Sequence, residues 1–293
     1  MRLLVSGIIV AICSNLGSFD TQFLYAGVIY VDNKVGRNDL DGSSDKLSGT
    51  QSGPVRTIHR ALEIARRGDS INIVNTGKPY YTTIELHGLR HSGTPTFPFR
   101  IQGNGATLDG SFVVPAFAWI PQRAENLWKF RPRRKGYYGL YYQDTLLPEI
   151  AIRRDGTNLG EITAGSWGVW RGEIYYRTQK LEEPAELPLR FAARSVGVTL
   201  YDVENVRIEG LVLKNFRLDG INAHDRVRET VIDNVNVSGC GRSGLTVKGT
   251  SRITVSQSNI RNNRKHSILI EELGEAEVLK SNLDKSPTIS SEK

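Results

Sequence analysis

The sequence of 293 residues contains two cysteines, Cys13 and Cys240, and no paired Cys-x-x-Cys motif. It also contains no P-loop, no Gly-x-Gly-x-x-Gly that leads from a strand into a helix, no His-Glu-x-x-His and no Gly-x-Ser-x-Gly. These absences remove the usual sequence support for nucleotide, zinc and serine-hydrolase chemistry.

The one long apolar segment is N-terminal, where Leu3 to Leu16 follows Arg2 and precedes Leu24-Tyr25-Ala26. A basic residue, an apolar stretch too short to span a membrane and a small residue at the end predict a secretory signal over residues 1–26. An uncleaved membrane anchor is the alternative. Without the signal, Cys240 is the single cysteine, and no intramolecular disulfide can form.

We therefore expect an exported protein, secreted, periplasmic or at the cell surface, with no membrane span once the signal is removed. The formal net charge of +7 at pH 7 indicates an anionic partner. For an exported protein, an acidic polysaccharide fits this charge better than nucleic acid, which we do not expect as a partner. A basic surface that serves solubility alone is the alternative. The oligomeric state is left open.

A repeat of 23 or 24 residues in the C-terminal part predicts the fold. Its apolar columns are Val198/Ile221/Leu245/Ile268, Leu200/Ala223/Val247/Ile270, Ile208/Ile232/Val255/Val278 and, less strictly, Leu211/Val235/Ser258/Ser281. Apolar alternation at this period, broken by Gly, Asn, Asp and Ser, is typical of one coil of a parallel β-solenoid. Because no single coil can bury its own face, the coils must stack.

We predict that the chain has four segments. They are the signal (1–26), an N-terminal cap with the first coils (27–111), an aromatic-rich antiparallel insertion (112–192) and the C-terminal coils (193–293). Within the second segment, Thr57 is followed by one apolar stripe of Ile58, Ala61, Leu62 and Ala65, which predicts an amphipathic capping helix. Within the insertion, Trp167–Trp170 and Glu173–Arg177 are expected to form a β-hairpin.

The runs IYVDNKVGRNDLDG, GPVRTIHRALEIARRGDSINIV and PFRIQGNGATLDGS resemble the opening of secreted right-handed parallel β-helix proteins of the pectate-lyase-like superfamily. The later coil GVTLYDVENVRIEGLVLKNFRLDGINAHD resembles the same group, especially uncharacterised exported β-helix proteins of planctomycete-type bacteria. The resemblance implies an all-β fold, a right-handed parallel β-helix. It is weak for activity, because this architecture carries lyases, hydrolases, epimerases and non-catalytic spikes.

Strand parity predicts where polar side chains gather. Because successive side chains of a strand point to opposite faces, inward Ile221 and Ala223 place Asn222 and His224 on the outside. Stacking then aligns one outward ladder of Tyr201, His224, Lys248 and Glu271 and a second ladder of Asp219, Arg242 and His266, with Asp225 beside His224.

These residues suit β-elimination from a uronic acid. Arg242 or a bound cation is expected to neutralise the sugar carboxylate. Lys248 or His224 is expected to take the C5 proton, and Tyr201 or His224 to protonate the leaving oxygen. Asp219 and Asp225 complete the candidate catalytic set. Polar side chains that face out for solubility alone are the alternative.

No cofactor is assigned. Calcium is the one candidate ion, although the loop Asn38–Gly42 fits a turn better than a calcium-binding loop. Inverting hydrolysis needs two carboxylates, and Gly241–Gly244 supplies none where related hydrolases carry a pair, so a lyase is favoured over a hydrolase. A non-catalytic glycan-binding or cell-surface module is the alternative to an enzyme.

The insertion offers a second candidate surface, because the basic run Arg131–Lys135 precedes four tyrosines. Aromatic faces stack on sugar rings, and Arg or Lys pairs with acidic groups. We predict substrate contacts from Asn222, His266, Glu271, Arg133, Arg134, Tyr141 and Trp170. The alternative is that the aromatic residues form the core of the insertion and that the basic run is a solvated loop.

Overall fold

A computed structural model describes residues 26–290, and its main body is a stack of coils that form three parallel sheets. Sheet 1 contains Val28–Val31, Ser70–Ile73, Phe99–Gln102, Val206–Glu209, Thr230–Asp233, Arg252–Ser256 and Glu275–Leu279. Sheet 2 contains Ile84–His87, Val196–Tyr201, Asp219–His224, Ser243–Val247, His266–Glu271 and Thr288–Ser290. Sheet 3 contains Thr107–Asp109, Val212–Lys214, Asn236–Ser238, Asn259–Ile260 and Asn282–Leu283.

The strand register confirms the repeat derived from the sequence. Val198 pairs with Ile221, Ile221 with Leu245 and Leu245 with Ile268, as the first apolar column requires. The column that begins at Ile208 pairs in the same way through Ile232, Val255 and Val278. The strands of each inner coil therefore pair with those of the coils on both sides, and the apolar side chains form continuous inward stacks.

The coil interior is one apolar core, and the helix Ile58–Ile64 packs at its N-terminal end. The Thr57 side chain accepts a hydrogen bond from the Arg60 amide and caps this helix. The predicted stripe, Ile58, Ala61, Leu62 and Ala65, is buried in the core. The capping helix is therefore confirmed: it covers apolar layers that the first coil would otherwise expose. A short second helix spans Gly88–His91.

The segment between Ser111 and Ala192 forms a lobe with two antiparallel sheets. One contains Ser111–Val113, Leu140–Tyr142, Thr145–Leu146 and Leu189–Ala192, and the other contains Ile120–Pro121, Leu127–Phe130, Trp167–Trp170 and Glu173–Arg177. Two 3₁₀ turns, Ala116–Ala118 and Leu159–Glu161, lie between strands. The expected hairpin is confirmed: Trp170 pairs with Glu173 across Arg171 and Gly172, which both have positive φ, as a two-residue primed turn requires.

The lobe interrupts the chain without interrupting the stack. Phe99 of the coil before the lobe pairs directly with Val206 of the coil after it, and Leu108 pairs with Leu213. The two ends of the lobe, Ser111 and Ala192, pair with each other. The coils on either side of the insertion therefore meet as neighbours, and the lobe stands at the corner between sheets 3 and 2.

No helix among residues 26–290 is long and apolar enough to cross a membrane. The signal predicted at residues 1–26 lies, except for Ala26, outside the described residues, and it stays a prediction.

The stack predicts a large cost for a cavity in one apolar column. Leu245 is fully buried, so Leu245→Ala is expected to lower the free energy of unfolding by about 2–5 kcal/mol. Leu89→Ala makes the same change at a side chain that is 96% exposed, and this control is expected to change the free energy of unfolding by less than about 0.5 kcal/mol. Urea denaturation measures both values. Equal small effects would contradict a stacked core.

A buried histidine makes stability depend on pH. His91 accepts a hydrogen bond from the His87 amide at Nδ1 and donates from Nε2 to the Leu62 carbonyl. Burial lowers the pKa of His91, so the unfolded chain binds a proton more readily than the folded protein. This contribution to stability is complete above the unfolded pKa of about 6.5 and is lost as the pH falls below it.

His91→Gln removes the titrating group and keeps a donor and an acceptor at the same place. The wild-type protein is expected to lose more unfolding free energy than this variant between pH 7.5 and pH 5.5. Parallel urea titrations at the two pH values measure the difference, and all other titrating groups are common to both proteins. Identical pH slopes would contradict the assignment.

Candidate functional site

The predicted ladder exists on the outer face of sheet 2. Tyr201 pairs with His224, and their ring centroids lie 5.0 Å apart. Ala223 pairs with Val247, so Lys248 follows on the next rung, and Glu271 follows Val247's partner Ile270 in the same way. Four side chains from four coils therefore stand side by side, about 4.8 Å apart per rung.

The ladder has one rung more than the sequence predicted. His87 pairs with Tyr201 across the lobe insertion, with ring centroids 5.9 Å apart. Tyr201 is therefore flanked by two imidazoles, His87 and His224. The same parity rule indicates His87, because Ile84 and Leu86 face inward. The sequence did not indicate which coil stacks on the strand of His87, because Leu200, the partner of Leu86, lies 114 positions later in the chain.

A carboxylate lies beside the central tyrosine. Asp225 raises the pKa of the Tyr201 phenol, because the phenol donates toward its carboxylate and because the negative charge disfavours a phenolate. Asp225 Oδ1 also lies 3.6 Å from His224 Nδ1. Tyr201 is 40% exposed, so this face presents a protonated phenol to solvent beside an imidazole.

Lys248 supplies a cation to the same face. Its side chain is half-buried on the rung between His224 and Glu271. Among residues 26–290, no carboxylate oxygen lies within ion-pair distance of its ammonium group. An approaching anion therefore does not have to displace a protein carboxylate from Lys248.

The second predicted ladder is shifted by one residue. Asp219 pairs with Ser243, and Ser243 pairs with His266, so Arg242 stands one residue before this column. Arg242 nevertheless reaches Asp219, and it donates from Nε (2.9 Å) and Nη2 (2.5 Å) to the two carboxylate oxygens. The ion pair raises the pKa of the Arg242 guanidinium.

Burial changes the roles assigned to Asp219 and Asn222. Asp219 is fully buried and also accepts from the Ser243 hydroxyl at 2.7 Å. Asn222 is 8% exposed and donates to Asp219 at 2.8 Å, although strand parity had placed it on an open face. Neither residue is open to substrate as the sequence analysis expected. Asp219 holds Arg242 in place and accepts from two of the five N–H donors of its guanidinium.

His266 and Glu271 remain on the outer face, both half-buried. His266 Nδ1 lies 3.0 Å from the Thr288 hydroxyl. Burial lowers the pKa of His266, and the nearby cations Lys265, Lys285 and Arg242 lower it further. This end of sheet 2 is therefore rich in positive charge.

The lobe aromatic residues form mainly a core, which corrects the substrate contact predicted for Tyr141, whereas that predicted for Trp170 stays a prediction. Tyr141 is 2% exposed, and its hydroxyl donates to the Gly239 carbonyl at 3.0 Å, so it ties the lobe to a coil. Trp170 is half-buried, and the Arg171 guanidinium lies 4.4 Å from its ring centre. Its Nε1 donates to the Arg154 carbonyl. Arg133 and Arg134 are exposed, and their contact with substrate stays a prediction.

Among the described residues, no group of three or more His, Cys, Asp or Glu side chains is arranged to hold a metal ion. In the loop where calcium was considered, Asn38 Oδ1 accepts from the amides of Arg56 and Thr57. Asp41 Oδ1 accepts from the amide and hydroxyl of Ser43. These oxygens therefore shape a turn.

Comparison with known proteins identifies the fold. Residues 190–288 match the family model described as a right handed beta helix region. The chain is a right-handed parallel β-helix. None of the curated proteins matches it in sequence.

Two solved structures share this architecture. One is titled as XylC in complex with xylose, with a TM-score of 0.56 and 12% identity over 87% of this chain and 59% of that chain. The other is titled glycoside hydrolase, with a TM-score of 0.55 and 11% identity over 84% of this chain and 68% of that chain. This chain therefore spans about three fifths of the XylC chain. At these identities the likeness establishes the fold alone.

The buried Asp219–Arg242 pair predicts strong energetic coupling. Arg242→Met leaves a buried carboxylate without its guanidinium and is expected to lower the unfolding free energy by about 3 kcal/mol. The double variant Asp219→Asn/Arg242→Met is expected to cost less than the sum of the two single changes, as in a double-mutant cycle measured by urea denaturation. Additive single effects would contradict the pair.

Proposed function

We propose that this protein is an exported enzyme that cleaves an acidic polysaccharide by β-elimination on the outer face of sheet 2. The observation that carries the proposal is the row His87, Tyr201, His224 and Lys248, which four coils bring together on one solvent-facing surface. The net charge of +7 supports an anionic substrate. Export rests on the predicted signal alone.

The chemistry follows from the positions of three side chains. Lys248 pairs with the substrate carboxylate and lowers the barrier to forming the carbanion beside it. His224 takes the C5 proton, since an imidazole accepts a proton near neutral pH. The C5 electron pair forms the C4–C5 double bond, the C4–O bond breaks, and Tyr201 gives its phenolic proton to the leaving oxygen. The phenol carries this proton at neutral pH, because the ordinary pKa of a tyrosine is about 10.

The contacts of Arg242, Asp225 and His87 distinguish between residues that the sequence left as alternatives for the same role. Arg242 is less suited than Lys248 to neutralise the substrate, because Asp219 already takes two of its donors. Asp225 accepts from the Tyr201 phenol and stands 3.6 Å from His224, where it orients the imidazole. His87, on the other side of Tyr201, is a further candidate for substrate contact.

Hydrolysis is the second candidate, because a carboxylate pair lies at the end of the ladder. Asp202 and Asp225 each directly follow the paired residues Tyr201 and His224, so they occupy equivalent positions on adjacent rungs. A separation near one rung, about 5 Å, is typical of retaining glycosidases. Against this role, Asp202 is already paired with Arg226 at 3.0 Å.

The test is product analysis on a panel of pectin, alginate and glycosaminoglycan, with and without calcium. Elimination is expected to give products with a C4–C5 double bond that absorb in the near-ultraviolet. His224→Asn and Tyr201→Phe are each expected to lower turnover by about a hundredfold or more, because each removes one proton-transfer group.

Lys46→Ala changes an exposed lysine of the N-terminal loop and is the control, with turnover expected to stay unchanged. Saturated products that the Asp225→Asn variant no longer forms would contradict elimination and would support hydrolysis. Binding without any product would instead support a non-catalytic glycan-binding module, and neither binding nor product would contradict a role on acidic glycans.

A further inference from the structure

A cleft separates the lobe from the corner of the coils. Its lining includes Tyr137, Tyr138, Glu149 and Val169 from the lobe and Arg264 and Lys265 from the coils. The cleft joins these lobe and coil residues, which lie between 95 (Val169 to Arg264) and 128 (Tyr137 to Lys265) positions apart and which the repeat alone does not place together. None of these residues belongs to the ladder.

The two walls of the cleft are tied to each other. Arg217 of one coil donates from Nη1 to the carbonyls of Lys135 (2.9 Å) and Gly136 (3.3 Å). Arg264 of a later coil donates to the Tyr138 carbonyl and forms an ion pair with Glu149. The cleft is therefore already formed before a ligand arrives, which reduces the ordering that binding requires.

The backbone at Tyr137 is held in an uncommon conformation. Its φ of 52° lies in the left-handed region, which bulky residues rarely adopt. Such conformations persist when surrounding contacts impose them. Here the Arg217 contacts to Lys135 and Gly136 fix the preceding residues and present Tyr137 at the cleft.

The cleft combines a cation with an aromatic ring. Lys265 Nζ lies 4.9 Å from the centre of the Tyr137 ring and is exposed. Among residues 26–290, no carboxylate forms an ion pair with Lys265, whereas the one lining carboxylate, Glu149, is occupied by Arg264. An ammonium that stands over an aromatic ring and has no carboxylate partner can pair with the carboxylate of an acidic sugar.

The cleft lies at the start of a strand that ends at the ladder. Lys265 directly precedes the strand His266–Glu271, whose far end reaches the ladder at Glu271. Six residues of strand separate the two places, about 20 Å at roughly 3.3 Å per residue. An oligosaccharide of several sugars spans that distance, whereas a disaccharide does not.

We propose that this cleft is a remote subsite that binds a carboxylate-bearing sugar of the acidic polysaccharide, several sugars away from the bond cleaved at the ladder. The inference rests on the proposed function and adds the place and the charge of a distal contact. It assigns Lys265 to the sugar carboxylate and Tyr137 to the sugar ring.

The experiment measures calorimetric affinity in a His224→Asn background, which slows turnover. The probes are disaccharides and hexasaccharides of galacturonate, alginate and chondroitin, with neutral xylohexaose as the uncharged control. Lys265→Ala is expected to weaken binding of an acidic hexasaccharide about threefold to tenfold and to leave disaccharide binding unchanged. Tyr137→Asn, which tolerates a positive φ, is expected to do the same.

Lys265→Arg, which keeps the charge, is expected to restore hexasaccharide affinity, and Lys180→Ala, an exposed lysine of the lobe outside the cleft, is expected to have no effect. Unchanged hexasaccharide affinity in Lys265→Ala, or an equal loss for xylohexaose, would overturn the subsite. If the parent with His224 still cleaved the polymer, the proposed function would stand. If no acidic glycan were bound or cleaved, both proposals would fail.

Discussion

The in-register stacking of parallel coils is the constraint on which the rest of the structure depends. Every apolar column, such as the one from Val198 to Ile268, fixes the pairing of its neighbours, because a slip of one residue would turn the whole column outward. The backbone ladder and the apolar core therefore enforce the same register. The lobe respects this constraint, since Phe99 and Val206 pair as though residues 111–192 were not between them.

The same constraint creates the candidate site. Tyr201, His224 and Lys248 come from separate coils, and nothing in their local sequences brings them together. The register does so as a by-product of burying the alternate residues Leu200, Ala223 and Val247. A solenoid thus places functional groups on a rigid strand framework, where their spacing is set by the backbone. The lobe adds what a plain solenoid lacks, a wall beside the sheet and a cleft with its own cation.

Much of this arrangement is predictable from the sequence, because period and parity are local signals. The coil columns, the capping helix after Thr57 and the row from Tyr201 to Glu271 follow from them. Strand parity predicts which face of a sheet a side chain leaves, but not whether other residues cover that face. It therefore predicted an exposed Asn222, although Asp219 and its neighbours form a buried polar cluster there. Composition does not separate core aromatic residues from surface ones, so Tyr141 was assigned to substrate although it is buried against Gly239. The cleft at Lys265 depends on how the lobe packs, which no repeat encodes.

The most direct measurement of the central claim is excimer fluorescence from pyrene attached to paired cysteines, in a chain whose two native cysteines are replaced. Labels at positions 224 and 248 are expected to give strong excimer emission, because adjacent rungs lie about 4.8 Å apart and both side chains leave the same face. Labels at positions 224 and 254, on the outer faces of different sheets, are expected to give monomer emission alone. Monomer emission from the 224/248 pair in a folded, monomeric sample would contradict the register and the site built on it.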